Sequence, residues 1–79
     1  MFINKSAAGR NNICGETIAR LRMQLGISQR ALADKLQIAG LDMNKNAIQR
    51  IESGKRFVTD IELKAIASVL EITVDELLR

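Results

Sequence analysis

Four stretches of this sequence repeat one pattern, and the pattern fixes where helices can begin. In each stretch an apolar residue stands directly before a Ser, Thr or Asn, and a second apolar residue follows four positions after that polar residue. The polar residues are Ser28, Asn44, Thr59 and Thr73. Their side-chain oxygens can accept hydrogen bonds from first-turn amides, while the two apolar residues pack together as a hydrophobic staple. The staple pairs are Ile27 and Leu32, Met43 and Ile48, Val58 and Leu63, and Ile72 and Leu77.

Glycines and apolar periodicity predict where helices end and where a further helix precedes these four. A glycine placed directly after a helix adopts the left-handed conformation that terminates it. The glycines in such positions are Gly26, Gly40 and Gly54. Ile18, Leu21 and Leu25 recur at helical spacing, which predicts a first helix from about Cys14 to Leu25 with these three residues buried.

The remaining helices follow from the caps. They are predicted from Gln29 through Ile38 or Ala39, from about Lys45 to Ser53, from Thr59 with a capping box to Glu62, and from Thr73 with a capping box to Glu76. The chain has two Phe, no Trp and no Pro, so aliphatic residues must form the core, which favours helix packing. We therefore predict an all-α fold, a compact five-helix bundle over residues 13–79. Residues 1–12 show no periodic spacing of apolar residues and are predicted to be an N-terminal arm. A frayed terminus is favoured over an arm that enters the minor groove of DNA.

The composition excludes several functional classes. A single cysteine, Cys14, cannot form an intramolecular disulfide, and a chain without His offers no plausible zinc site. Cys14 also lacks a base partner for nucleophilic catalysis, and no carboxylate pair or glycine-rich phosphate loop is present, so we expect neither an enzyme nor a cofactor. No apolar run approaches the roughly 20 residues of a membrane span. These features predict a protein of the reducing cytoplasm.

Charge is distributed unevenly along the chain. The net charge is +3, and residues 1–56 contain ten Lys or Arg against four Asp or Glu, whereas residues 57–79 contain two against five. A positive field over one part of a small domain favours a polyanionic partner. Charge alone does not separate DNA from RNA or an acidic membrane surface.

The third predicted helix has two chemically different faces. At about 100° per residue, Ala47, Ile48 and Ile51 point to one side. The residues that point to the opposite side are Lys45, Asn46, Gln49 and Arg50. Asn and Gln can pair with adenine, and Arg or Lys with guanine, so these residue types suit base recognition. A solvated outer face is the alternative interpretation, about equally favoured for this helix taken alone.

The order of these segments resembles a known family. Residues 15–79 are similar to the lambda-repressor/Cro-type helix-turn-helix domain. The resemblance is carried by Arg22-Met23-Gln24-Leu25-Gly26-Ile27-Ser28-Gln29, Leu32-Ala33, Ile48-Gln49-Arg50-Ile51-Glu52-Ser53-Gly54-Lys55-Arg56, Ile66-Ala67 and Ile72-Thr73-Val74-Asp75-Glu76-Leu77-Leu78. It places the helix-turn-helix in the second and third helices.

The resemblance implies roles for the matching residues. Lys45, Asn46 and Arg50 would contact base edges, with Gln49 a lesser candidate. The residues that would contact DNA phosphates are Gln29, which would also brace the third helix, and Ser53, Lys55 and Arg56. Arg22 and Glu52 would form an internal ion pair between the first and third helices. The connection from Leu36 to Asn44 departs from the family, because it is about five residues longer than the usual tight turn. We expect this length to leave the core intact, whereas its effect on the docking angle stays open.

Two functions remain in competition. The first is sequence-specific binding of double-stranded DNA by a homodimer on a palindromic operator, as a small transcriptional regulator and most often a repressor. Leu77 and Leu78 would contribute to the dimer surface, although packing of both within the monomer core is at least as well supported. The second is a protein-interaction module, an adaptor or antitoxin-like component, in which DNA contact is secondary. A protein-binding helix would expose apolar anchors in place of Lys45, Asn46 and Arg50, which argues against the second.

Overall fold

All regular secondary structure in the described part of the chain is helical. The computed structural model describes residues 9–79, so most of the predicted N-terminal arm lies outside the described residues. The five helices are α1 (Gly15–Gln24), α2 (Gln29–Ile38), α3 (Lys45–Glu52), α4 (Asp60–Val69) and α5 (Val74–Leu77). The predicted all-α five-helix fold is confirmed. Along residues 9–79, none of the helices has the length and apolar character needed to cross a membrane.

The four predicted N-caps are all present. Ser28 Oγ accepts from the amide of Ala31 at 3.0 Å, and Asn44 Oδ1 accepts from the amide of Ala47 at 2.9 Å. Thr59 forms a complete capping box, because the Glu62 carboxylate also accepts from the Thr59 amide at 3.0 Å. The capping box predicted at Thr73 is only half formed. The Thr73 hydroxyl accepts from the Glu76 amide, but the exposed Glu76 side chain does not accept from the Thr73 amide.

The connection between α2 and α3 begins with an ordered helix stop. The amide of Gly40 donates to the carbonyl of Gln37 at 3.0 Å, and the amide of Leu41 donates to the carbonyl of Leu36 at 2.9 Å. Gly40 has φ 96°, so these bonds form the Schellman stop that its sequence predicts. Leu41 packs against the core, and Met43 is buried in it. The extra length of this connection therefore leaves the core intact, as expected.

The core is built almost entirely from predicted staple and stripe positions. The buried apolar residues are Cys14, Ile18, Leu32, Ala33, Leu36, Met43, Ile48, Ile51, Ile66, Ala67, Leu70 and Leu77. The sequence predicts that Leu25 is buried, and this prediction is wrong, because Leu25 is 57% exposed. α1 ends at Gln24, and Leu25 is the C-cap residue, so its side chain no longer follows the buried stripe of the helix. Leu77 is fully buried in the monomer, which removes it from the predicted dimer surface, while Leu78 is 39% exposed.

Candidate nucleic-acid interface

α3 is held on two sides and presents a third to solvent. It packs against α1 and most extensively against α2, through the buried side chains of Ile48 and Ile51. The four side chains proposed to meet bases are exposed, namely Lys45, Asn46, Gln49 and Arg50. Within residues 9–79, none of these four side chains is engaged in a hydrogen bond or an ion pair. The outer face of α3 therefore carries two cations and two amides that are free to bind a partner.

The first turn of α3 is fixed from three directions. Asn44 caps it, and Met43 is buried beneath the cap. The Gln37 side chain reaches across from α2 and donates to the Met43 carbonyl at 3.3 Å. Lys45 and Asn46 therefore extend from a helix start whose position is set by both the core and α2.

A polar network fixes α3 relative to α1 and α2. Arg22 of α1 and Glu52 of α3 form the predicted ion pair, with Arg22 Nε 2.8 Å and Nη2 3.1 Å from the two carboxylate oxygens. The hydrogen bond with Glu52 raises the pKa of Arg22. Gln29, the first residue of α2, donates to the same carboxylate at 3.0 Å, and Arg22 Nη1 donates to the Ile27 carbonyl at 2.9 Å. Gln29 thus braces α3 through Glu52, whereas its contact with a DNA phosphate stays a prediction.

The exit of α3 exposes two of the residues that the resemblance places at phosphates. Ser53 and Lys55 flank Gly54, which has φ 81° and ends the helix. The amide of Lys55 donates to the Arg50 carbonyl at 2.8 Å, and the Ser53 hydroxyl donates to the same carbonyl at 3.2 Å. This corner presents a primary amine and a hydroxyl beside the outer face of α3.

Arg56 lies in a different environment from Ser53 and Lys55. Its guanidinium donates to both carboxylate oxygens of Glu62, at 2.9 and 2.8 Å, and to the carbonyl of Phe57 at 3.1 Å. The hydrogen bonds between Arg56 and Glu62 raise the pKa of Arg56 and lower the pKa of Glu62. The structure thus gives Arg56 an internal role that sequence reasoning missed, that of joining the α3 exit to the capping box of α4. A phosphate contact by Arg56 stays a prediction and would have to share this guanidinium with Glu62.

A polar segment before α1 contacts the same corner. Asn11 and Asn12 donate to main-chain carbonyls between Ile51 and Arg56, and Arg10 donates to the carbonyl of Glu52. The sequence predicts these residues as part of the arm and assigns them no site. One local signal is present, because Asn12 Oδ1 accepts from the amide of Gly15, the first residue of α1, at 2.8 Å. The division at residue 12 stays a prediction, but residues 10–12 lie against the domain.

Comparisons with known proteins agree with this geometry. A family described as helix-turn-helix matches residues 18–77. The solved structure of the restriction-modification controller protein C.AhdI from Aeromonas hydrophila is similar to this chain, with a TM-score of 0.71 and 26% identity over 81% of this chain and 86% of that one. No protein among the curated sequences matches. The chain therefore belongs to the lambda-repressor/Cro-like family of helix-turn-helix domains, as the resemblance indicated.

Proposed function

We propose that this helix-turn-helix chain binds double-stranded DNA sequence-specifically and regulates transcription, with α3 in the major groove. The observation that carries the proposal is the unengaged outer face of α3, where Lys45, Asn46, Gln49 and Arg50 are exposed together. An α-helix with its side chains is about 10–12 Å in diameter, and the major groove is about 12 Å wide, so α3 fits into the groove. Its outer face can then meet base edges.

The residue types on this face match the hydrogen-bonding pattern of the major groove. Arg50 and Lys45 are cations that can donate to the guanine O6 and N7 atoms, and Asn46 and Gln49 can pair with the adenine N6 and N7 atoms. Lys45 and Asn46 lie in the first turn of α3, the end of a recognition helix that enters the groove most directly. We propose these four residues as the base-reading set.

Phosphate contacts would set the register of α3 on the duplex. Lys55 and Ser53 follow the C-terminal end of α3, and Gln29 opens α2, so they would contact the DNA backbone at separate points. Phosphate contacts position a protein without reading sequence. We propose Lys55 as the main cation of this group, because Arg56 is bound to Glu62.

The solved relative supports a regulatory role. Its description as a restriction-modification controller fits a small protein that controls gene expression. We propose repression as the sign of regulation, by occlusion of a promoter. A homodimer on a palindromic operator would place two copies of α3 in successive major grooves, about 34 Å apart.

Substitutions at Arg50 and Lys55 separate base reading from phosphate binding. Selection of bound duplexes from a random pool supplies the operator, and affinities are then measured for the operator and for a scrambled duplex over a range of salt concentrations. We expect Arg50→Ala to lose about 1–3 kcal/mol of discrimination between the two duplexes. Lys55→Ala should weaken binding to both duplexes alike. It should also reduce the slope of log affinity against log salt concentration by about one.

A matched control and two contrary outcomes complete this test. Lys64 is an exposed cation of α4, so Lys64→Ala makes the same charge change away from α3 and should leave discrimination unchanged. An unchanged operator-to-scrambled ratio in Arg50→Ala would show that Arg50 does not read a base. If no duplex is enriched at low salt, the DNA-binding proposal is wrong.

An adaptor or antitoxin-like role is the second candidate, and one observation favours it. Ile38 at the end of α2 is 88% exposed and Ile61 in α4 is 72% exposed. Ile61 borders a shallow cleft that is also lined by Ala39, Lys64, Ala65 and Ser68. Exposed apolar side chains of this kind are suited to contacts with protein. Failure of the duplex selection would move the proposed function to this surface.

A further inference from the structure

We infer that residues 10–12 form a positioning strap for the phosphate-binding corner after α3. The strap comprises Arg10, Asn11 and Asn12, and the corner comprises residues 53–56. This inference rests on the proposed DNA-binding function and extends it to residues outside the helix-turn-helix itself. The strap would act by fixing the main chain of the corner, without contacting DNA.

The two asparagines bind the main chain of the corner directly. The amide of Asn11 donates to the carbonyl of Gly54 at 2.8 Å, and its side chain donates to the carbonyl of Lys55 at 3.1 Å. The side chain of Asn12 donates to the carbonyls of Ile51 at 3.0 Å and Arg56 at 2.8 Å. Consecutive carbonyls from Gly54 to Arg56 thus bind the strap.

Arg10 adds a cation at the C-terminal end of α3. Its Nη2 atom lies 2.7 Å from the carbonyl of Glu52 and 3.5 Å from the carbonyl of Ile51, and Nη1 lies 3.5 Å from the carboxylate of Glu16. A positive charge near the last carbonyls of a helix stabilises that helix end. Arg10 therefore ties the strap to both α3 and the first turn of α1.

Two glycines leave the space that the strap occupies. A Cβ atom on Gly15 would overlap the carbonyl oxygen of Ile51 and lie 2.6 Å from Arg10 Nη2. A Cβ atom on Gly54 would lie 2.8 Å from Arg10 Cζ and 2.9 Å from its Cγ atom. The strap, α1 and the α3 exit therefore approach one another more closely than side chains at these two positions would permit.

The orientation of the carbonyls determines that of the neighbouring amides. In a planar trans peptide the carbonyl and the amide of the next residue point in opposite directions. Because the carbonyls of Lys55 and Arg56 bind the strap, the amides of Arg56 and Phe57 point away from it. Main-chain amides are common phosphate ligands in protein–DNA interfaces. The strap therefore sets the direction in which this corner can offer the main-chain amides of Arg56 and Phe57.

The test replaces the asparagines without changing charge. The double variant Asn11→Ala with Asn12→Ala removes three side-chain hydrogen bonds to the carbonyls of Ile51, Lys55 and Arg56. In the free protein, we expect amide hydrogen exchange at Gly54 and Lys55 to accelerate about tenfold, while exchange at Leu70 of α4 stays unchanged. DNA affinity should fall about tenfold for the operator and scrambled duplexes alike, because each loses correctly placed phosphate donors.

Ile66→Val separates a positioning role from loss of stability. Ile66 is buried in α4, so this variant lowers the stability of the domain without touching the corner. It should retain the wild-type DNA affinity. The strap inference is overturned if the double variant keeps wild-type exchange at Gly54 and Lys55, or if the corner loosens and DNA affinity is unchanged. If the wild-type chain binds no duplex, the proposed function fails together with the strap's role in DNA binding, whereas the exchange measurement still reports on the corner.

Discussion

Glu71 ends α4 in the left-handed conformation, with φ 59°, although the corresponding positions after α1, α2 and α3 are glycines. Its amide donates to the carbonyl of Ser68 at 3.2 Å, and the amide of Ile72 donates to that of Ala67 at 3.0 Å, so the stop is geometrically complete. The left-handed conformation costs a residue with a Cβ atom roughly 1 kcal/mol. The backbone of α4 is therefore strained at this single residue.

We expect Glu71→Gly to raise the free energy of unfolding by about 0.5–1 kcal/mol, because glycine adopts the left-handed conformation without steric cost. Urea denaturation measures the change. Gly26→Ala is the control in the opposite direction. Gly26 has φ 72°, and no atom lies within 4 Å of an added Cβ. Only the cost of the left-handed conformation should therefore act, and the free energy of unfolding should fall. If Glu71→Gly destabilised the protein, the Glu71 side chain would be making a contribution larger than the strain.

The Arg56–Glu62 pair predicts a pH dependence at the residue scale. Hydrogen bonds from Arg56 hold the pKa of Glu62 below its ordinary value of 4.5. The pKa of this carboxylate is lower in the native state than in the unfolded chain. The pair therefore stabilises the native state at pH values above the ordinary pKa of 4.5. That contribution is lost as pH falls through the native pKa. Acid should therefore weaken the connection between the α3 exit and α4.

We expect Glu62→Gln to lower the free energy of unfolding by about 1 kcal/mol near neutral pH, with the difference from wild type shrinking in acid. Denaturation by urea over a series of pH values measures it. Glu76→Gln is the matched control, since Glu76 occupies the same position in α5 and has no arginine partner in the described residues. A difference that stayed constant from neutral pH into acid would contradict the ion-pair explanation.

Among the elements, the sequence predicts those features that arise from neighbouring residues. Caps and Schellman stops join residues three to five positions apart, so Asn44 and Gly40 are sufficient to predict the limits of the α2–α3 connection. The outer face of α3 is equally local, because helical geometry alone separates Arg50 from Ile51. The predicted boundaries and exposed face therefore follow from short-range chemistry.

Features that depend on tertiary contacts could not be predicted in the same way. Arg10 and Asn12 bind carbonyls 39 to 44 residues later in the chain, and no local pattern encodes such a pairing. Leu25 was predicted buried because periodicity does not reveal that its side chain leaves the stripe at the C-cap. The ion pair of Arg22 with Glu52 was predicted only through the family resemblance, since 30 residues separate the partners.

At the scale of the whole molecule, charge is segregated along the chain. Residues 1–56 hold the excess of cations and include α3, whereas residues 57–79 hold the excess of acids and include α4 and α5. DNA would repel the acidic part, which leaves it available for a second copy of the chain. Leu78 lies in this part, after α5, and is 39% exposed.

This segregation leads to a prediction about assembly on DNA. We expect sedimentation at micromolar concentration to show two copies bound to a palindromic duplex with half-sites about one helical turn apart. Leu78→Asp should convert this to one copy per duplex, because a charge would then be desolvated at the contact between subunits. Met23→Asp is the matched control, since Met23 is an exposed apolar residue of α1, and it should preserve the two-to-one complex. A wild-type complex that remained one to one would refute the homodimer, whereas a two-to-one complex with Leu78→Asp would show that the copies meet elsewhere.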